Sequence, residues 1–536
     1  MKKVLVLMTV NMMRMKRAVI VFLFAALIAG VAWAQTGSGS VNGVVQDKTG
    51  AVIVNANVSL VNTDTNVELK SVTNDAGLFV FPAVTNGPYK LIANSAGMAQ
   101  YEAKLTVQVD VAAAVSVTLL PAGAKTTIVV GDVTPLVNTD NAELGSTLEA
   151  RRIEELPLNG RNVFSLMATV PGTTPSDVNG NFRTFGEGVG THDITIDNAP
   201  LTDMAYAAQT VNRPPGLESI QEFTVDTNAT SAKSARPTDI IMVTKSGTNQ
   251  WHGSLFETNR DNSYGVAHYE QDLPGSPLGK LIRNEYGGSA GGPVYIPKVY
   301  NGKNKSFWFF SYEALSLRQG TSTLFKVPDA KMQSGDFSGD IVGGVMQQLY
   351  NPFAEYTTPG DPSTRPMFVN NKIGTAVCTS PLGDPVNGCM SPLYNFLLSD
   401  LPQPSLPNVN PFLGYNLFAP AAHNSNQATY VLRVDQRFSD KDLVYVRLSK
   451  ATETDLQHTN GSAPVPLDGN ANTVASRYPN DSFSADWTHT FSPKLVNDFT
   501  VSATYSEDLE GGGGNTTKNW DAQLGLSNPN SPWCKS

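Results

Sequence analysis

The chain has 536 residues, of which only 16% are charged, against about a quarter in an average soluble domain. Its formal net charge of −9 argues against nucleic acid as a partner, since phosphate binding needs a basic surface that the sequence does not show. The 45 glycines and 34 prolines break the sequence into short segments, so composition points to an exported, β-rich protein.

At the N-terminus, Arg14, Lys16 and Arg17 precede an unbroken apolar run from Ala18 to Val31, which ends in Ala32-Trp33-Ala34 before Gln35. A basic start, an apolar core and a small-x-small ending define a secretory signal peptide over residues 1–34, cleaved between Ala34 and Gln35. The run is too short for a comfortable membrane-spanning helix, and no cysteine follows it to carry a lipid anchor. Methionines at 12, 13 and 15 leave the true start open. No other segment is apolar for long enough to cross a bilayer as a helix. A membrane location therefore requires a barrel, the other spanning structure whose backbone groups are all paired in lipid.

Residues 35–122 read as short strands between turn signals, among them Asp47-Lys-Thr-Gly50, Asn74-Asp-Ala-Gly77 and Thr85-Asn-Gly87. Val58-Ser-Leu60, Leu78-Phe-Val-Phe81 and Tyr89-Lys-Leu-Ile92 supply the apolar strands of a small sandwich. The pattern Gly43-Val-Val, Asp47, Gly50, Ala56-Asn-Val58, Thr73-Asn-Asp-Ala-Gly77, Phe79 and Phe81 resembles the carboxypeptidase regulatory-like domain, similar to prealbumin in architecture. That resemblance implies a fold without a catalytic group, and there is no zinc-binding His/Glu motif. Some such sandwiches bind carbohydrate, but no clustered aromatic platform supports that here.

The second region, residues 125–249, opens with Thr126-Thr-Ile-Val-Val-Gly131, which reads as an ordinary extended strand. Val163, Leu166, Met167 and Val170 then fall at i, i+3, i+4 and i+7, a helical stripe ended by Pro171-Gly172. Ile153-Glu-Glu-Leu-Pro-Leu-Asn-Gly-Arg-Asn162 and Thr195-Ile-Asp-Asn-Ala-Pro200 are turn-forming motifs, and Asn198 can reach the left-handed region that its turn needs. Ile240–Val243 is a short apolar, β-branched run. Lys245–Asn249 is turn chemistry, with Gly247 available for positive φ, and Trp251-His-Gly-Ser-Leu-Phe-Glu257 is an outward-facing strand.

Residues 250–536 hold seven separated strand candidates: Trp251–Thr258, Asn284–Tyr295, Ser306–Leu315, Thr429–Phe438, Leu443–Leu448, Ser482–Thr490 and Leu495–Tyr505. Along the fourth, Val431, Arg433, Asp435 and Arg437 share one parity and Leu432 and Val434 the other, as a wet lumen opposed to a lipid face requires. Ser439-Asp-Lys-Asp442 is a short turn, whereas 352–426 is expected to be a long surface loop. Cys378 and Cys389 within it either close a small disulfide loop or remain two loop thiols, and Cys534 has no evident partner.

The Thr244-Lys-Ser-Gly-Thr-Asn249 segment with its following His-Gly strand resembles the junction of plug and barrel in TonB-dependent outer-membrane receptors, in their Oar-like branch. The Leu-Pro-x-x-Gly-Arg motif at 156–161, the Thr195–Pro200 turn, Arg283-Asn-Glu-Tyr-Gly-Gly-Ser-Ala-Gly-Gly-Pro293, Ser306-Phe-Trp-Phe-Phe-Ser-Tyr-Glu313 and Gly335-Asp-Phe-Ser338 extend the resemblance. The chain departs from the family pattern at Arg236-Pro237-Thr238, where glycines are usual, and at Lys125-Thr126, where an acidic residue is usual.

The resemblance implies a mainly β protein: signal peptide (1–34), regulatory-like sandwich (35–122), α/β plug (125–249) and partial antiparallel transmembrane barrel (250–536). It implies a location in the outer membrane with the sandwich in the periplasm, in contact with membrane lipid, an unidentified external ligand and a TonB-type energy transducer. Thr127, Ile128, Val129 and Val130 are then the segment expected to pair with that transducer as an added strand, the alternative being a plug strand.

No cofactor, metal site or enzyme signature is expected. The histidines are scattered, and Gly511–Gly514 lacks the lysine of a phosphate loop. The alternatives are a non-transporting surface, adhesion or secretion-related barrel, or a carbohydrate-binding periplasmic module. Seven strands are an odd number and fall short of the roughly 22 of a plugged transporter, and Trp533-Cys-Lys-Ser536 is not a terminal aromatic strand. The chain is therefore expected to be a fragment.

Overall fold

The computed structural model describes residues 38–109, 111–122, 128–130, 144–156, 158–175, 182–184, 192–201, 215–227, 236–262, 280–351, 354–355, 357–373, 403–406, 409–458, 473–507 and 509–512. Ala34, Gln35, Thr127, Cys378, Cys389 and Cys534 lie outside the described residues.

The first module is a sandwich of seven strands: β1 (Gly39–Asp47), β2 (Asn57–Asn62), β3 (Glu68–Val72), β4 (Leu78–Val84), β5 (Gly87–Asn94), β6 (Tyr101–Val107) and β7 (Ala112–Leu119). Alternation decides which face is buried: β6 buries Tyr101, Ala103, Leu105 and Val107, and β7 buries Ala113, Val115, Val117 and Leu119. These side chains meet Val41, Val58, Leu60, Phe79 and Leu91 in one core between a β4-β1-β7 sheet and a β3-β2-β5-β6 sheet. Each predicted turn forms as its residues dictate. At the first, the Asp47 carboxylate accepts the Thr49 and Ala51 N–H groups, and Gly50 adopts φ +88°.

A short strand, β8 (Ile128–Val130), extends the second sheet by pairing parallel with Tyr101–Ala103 of β6. It thus joins the sandwich sheet, not the plug sheet to which a plug-strand reading assigns it, and the sandwich reaches Val130.

The plug is a five-stranded sheet in the order β13-β12-β15-β14-β9. Its strands are β9 (Leu144–Glu149), β12 (His192–Ile196), β13 (Ala199–Pro200), β14 (Ile220–Thr227) and β15 (Thr238–Thr244), with β10 (Thr173–Pro175) and β11 (Phe182–Thr184) forming a separate pair. The helix α1 (Ala150–Glu155) puts Ile153 into a core with Leu166, Met167, Ile194, Phe223, Ile240 and Met242. The 163–170 stripe is buried as expected but winds as a 3-10 helix over Val163–Thr169. Asn162 caps it by accepting the Phe164 N–H. With Phe164 also buried, the apolar positions recur nearly every three residues, which suits the tighter winding.

The third module is one antiparallel sheet: β16 (His252–Asp261), β17 (Leu281–Pro293), β20 (Ser306–Phe325), β23 (Leu417–Arg437), β24 (Asp442–His458), β26 (Asn480–Ser492) and β27 (Leu495–Ser506), each paired with the next. Two shorter strands, β25 (Thr473–Arg477) and β28 (Leu509–Gly512), continue it beside the far end of β24. These are the seven expected strands, but several run longer. The β20–β23 ladder continues to Phe325 opposite Leu417, so residues 417–426, expected in a loop, are strand. Leu417-Phe-Ala-Pro-Ala-Ala422 is apolar at every position and interrupted by a proline, and His423–Asn426 is polar at every one, so neither half shows the period-two alternation that marks a strand.

Connections at one end are short: 438–441, 493–494, and 294–305 with the small hairpin β18 (Tyr295–Ile296) and β19 (Tyr300–Asn301). At the other end they are long: 262–280, 459–472, and 326–416, which carries α2 (Ala330–Gln333) and the hairpin β21 (Ile341–Val342) and β22 (Val345–Met346). That asymmetry belongs to outer-membrane barrels, whose short turns face the periplasm. Leu432 and Val434 are each 39% exposed on the outer face, whereas Arg433 and Asp435 are each 7% exposed on the inner one.

Candidate functional site

The plug meets the barrel's inner face through charged side chains. Residues 197 and 198 form the tip of the β12–β13 hairpin, with φ +44° and +61°, the double left-handed turn that favours Asp and Asn. The turn aims the Asp197 carboxylate at the barrel wall. It accepts from the Thr244 N–H at 2.9 Å, the Thr244 hydroxyl at 2.7 Å and Arg433 Nη1 at 3.1 Å, and Arg447 Nε lies 2.9 Å away. Tyr445 and Ser484 hydroxyls donate to the Asp197 carbonyl. Arg433 also pairs with Asp435 at 2.9 Å and stacks its guanidinium 4.4 Å from the Tyr445 ring centre. Arg447, fully buried, donates to the Ile196 carbonyl and to the Ser449 and Ser482 hydroxyls. Two arginines and two aspartates thus balance in a dry site, where an uncompensated charge would be costly.

A second contact reverses the signs. Arg161 of the plug, from the Leu-Pro-x-x-Gly-Arg motif, pairs with Glu218 at 2.9 Å and with Glu313 of β20 at 3.4 Å, and lies 3.8 Å from the Phe256 ring centre. Glu313 Oε1 accepts the Glu218 N–H at 2.7 Å, and Glu218 Oε2 accepts the Ser254 hydroxyl at 2.7 Å. Gly160 and Gly216 flank this contact because barrel side chains, Arg283 and Glu313, occupy the space their β-carbons would fill. A cavity of about 230 Å³ beside it is lined by Arg161, Asn162, Arg283, Glu285 and Glu313.

Plug and barrel are joined covalently through 245–251. The expected left-handed turn at Gly247 is absent. Its β-carbon position falls instead against the Trp308 and Gly292 carbonyl oxygens, so glycine is there for close backbone approach. Beside it the Ser246 hydroxyl donates to Asp435 at 2.7 Å. On the short-turn side a cavity of about 360 Å³ lies between sandwich, plug and barrel, with Asn62, Tyr89, Gln221, Ser246, Phe307 and Asp435 among its walls.

Sandwich and plug also share a buried carboxyl. Glu222 of β14 accepts from the Val109 N–H at 3.0 Å and from the Asn86 amide at 3.3 Å, while Thr224 donates at 3.2 Å. Burial outweighs these donors and raises its pKa to about 7.

Of the residues singled out in the sequence, Ile128, Val129 and Val130 lie on the sandwich edge, apart from both charged plug–barrel contacts. The parity of Arg433 and Asp435 was legible in the sequence, but their convergence with Arg447 on Asp197 was not, because a turn residue some 240 positions away supplies the partner. No group of three or more metal-ligating side chains occurs among the described residues.

The family model for the outer membrane beta barrel domain matches residues 243–534, more than half of the chain, and that for the carboxypeptidase regulatory-like domain matches 40–120. The chain belongs to the outer membrane beta barrel domain family. Its location is the outer membrane, with the sandwich on the periplasmic, short-turn side.

Solved structures that match this chain in part include the ferric enterobactin receptor PfeA of Pseudomonas aeruginosa, at 12% identity and TM-score 0.35 over 68% of this chain and 40% of that one. The siderophore receptor PiuA of Acinetobacter baumannii matches at 13% identity and TM-score 0.33, over 70% and 46%. The alcaligin outer-membrane receptor FauA of Bordetella pertussis matches at 9% and 0.32, over 69% and 50%. The chain thus spans half or less of the length of these receptors. No curated protein matches it.

Proposed function

We propose that this barrel-family chain is the receptor or transporter component of a TonB-dependent system, in which the plug gates the lumen and an external ligand is captured above it. The division into sandwich (35–122), plug (125–249) and barrel part (250–536) belongs to this reading, with Ile128–Val130 of the second part lying on the sandwich sheet. The observation that supports it best is the nature of the plug's attachment. The plug has its own apolar core and meets the barrel through two charged contacts of opposite sign, Asp197 with Arg433 and Arg447, and Arg161 with Glu313. Buried ion pairs fix register but add little net stability over apolar packing, since water can resolvate their members once the contact opens. Such a plug is held in place yet separable, as gating requires.

Energy coupling is assigned to the extended segment around Ile128–Val130. Strand addition needs extended backbone N–H and C=O groups, so Ile128→Pro should abolish capture of TonB's periplasmic domain, whereas Ile128→Ala should retain it. Equal capture by both folded variants would remove this segment as the pairing site, and growth-linked uptake unaffected by loss of TonB would remove the transporter reading.

A further inference from the structure

Asn249 closes the Lys-Ser-Gly-Thr-Asn segment and takes part in neither charged plug–barrel contact. Its backbone N–H donates to the Asp64 carbonyl at 3.0 Å, and its side-chain amide donates to the Thr65 carbonyl and to Asn304 Oδ1. Its Oδ1 accepts the Asn304 N–H at 2.8 Å. One side chain therefore ties the plug–barrel seam to a sandwich turn and to the barrel turn at 302–305. Nearby, Arg437 at the end of β23 donates Nη2 to the Glu68 carbonyl at 3.1 Å. On the plug side the sandwich is held through Glu222, by Asn86 and Val109, and through Gln108 to Glu149 at 3.3 Å.

These attachments surround the 360 Å³ cavity, so the sandwich lies across the short-turn mouth of the lumen. The named contacts are polar, and the sandwich and plug cores share no residue. Water replaces such hydrogen bonds at modest net cost when a domain lifts away, whereas a shared apolar core would not separate.

We infer that the sandwich is a detachable lid on the periplasmic mouth of the barrel, fastened to the rim by Asn249 and Arg437. Only its use as a gate for solute rests on the proposed function; the lid itself does not.

The test uses the full chain in vesicles with the sandwich side accessible, and with Cys378, Cys389 and Cys534 replaced by serine. Gln221→Cys on the cavity wall reports access through its rate of reaction with a membrane-impermeant maleimide. Adding Asn249→Ala and Arg437→Ala should raise that rate roughly five-fold or more by freeing the lid. An unchanged rate in a chain whose β20–β23 amides keep their hydrogen-exchange protection overturns the inference. Should the double variant not fold, Asn249→Asp, which keeps the acceptor for Asn304 but loses donation to Thr65, should give a smaller increase, and no increase would be equally fatal. Capture of TonB's periplasmic domain by the same samples separates the two readings: faster labelling without capture sinks the proposed function alone, and capture without faster labelling sinks the lid alone.

Discussion

Removing the Asp197 carboxylate should release the plug from the barrel without unfolding the barrel. The carboxylate takes two hydrogen bonds from Thr244 and faces two arginines, one of them wholly buried. In Asp197→Ala, Arg433 keeps Asp435 and the Tyr445 ring, but Arg447 retains only a carbonyl and two hydroxyls. A buried charge stripped of its counter-ion costs about 3–5 kcal/mol, or roughly two to four decades in the opening equilibrium. Asp197→Asn preserves shape and loses charge, so its cost should be about 1.5–3 kcal/mol, the range for hydrogen bonds to charged groups. Hydrogen exchange is the suitable assay. Amides of β12 and β15 should exchange faster by those factors, while the β20–β23 ladder keeps its protection. Combining Asp197→Ala with Arg447→Met should recover much of the loss, because the orphaned charge leaves with its partner. If the two substitutions were additive, or if Asp197→Ala changed β12 exchange by less than about ten-fold, the buried-pair argument would be refuted.

Gly247→Ala places a methyl against the Trp308 and Gly292 backbone, which cannot rotate away; a cost of about 1–3 kcal/mol should appear as a lower melting temperature, and an unchanged one would show that the seam is loose. Glu222 makes the sandwich–plug contact pH-dependent. Its folded pKa of about 7 lies above the ordinary 4.5, so its stabilising contribution is complete below 4.5 and is lost as pH rises toward 7. The difference is about 3 kcal/mol, and the neighbouring charged group, Glu149, acts in the same direction. Exchange at the Val109 amide, corrected for its intrinsic pH dependence, should therefore quicken between pH 5 and 8, and Glu222→Gln should flatten the profile. A flat profile in the parent chain would contradict the burial argument.

Legibility in the sequence followed the range of the interactions. The sandwich and the lower halves of the barrel strands were readable because period-two alternation and turn residues act between neighbours, as Val431 to Arg437 illustrate. The upper halves of β20 and β23 were missed, since Leu417–Ala422 is uniformly apolar around Pro420 while His423–Asn426 and Arg318–Thr323 are polar or glycine throughout, so only the ladder declares them as strands. Gly247 was given the wrong reason for the same cause: left-handed φ is a local property, whereas its actual constraint is the Trp308 and Gly292 backbone, brought beside it by the pairing of β17 with β20.

The charged contacts lie at the far limit of this scale. The Thr195–Pro200 turn announced its own conformation, and the strand parity announced that Arg433 faces inward, yet nothing local says that these two groups meet. What the sequence does carry is an imbalance. An arginine on the inner face of a strand, or an aspartate at a turn next to a buried strand, requires a counter-charge wherever water is excluded. Such residues can be listed from sequence as groups in need of partners. Pairing them, Asp197 with Arg433 and Arg447, and Arg161 with Glu313, takes the three-dimensional arrangement that the apolar cores set. The parts of the chain least readable in advance are therefore those that hold plug to barrel, because their partners come from elements far apart in the chain, which the local packing that sequence patterns record does not specify.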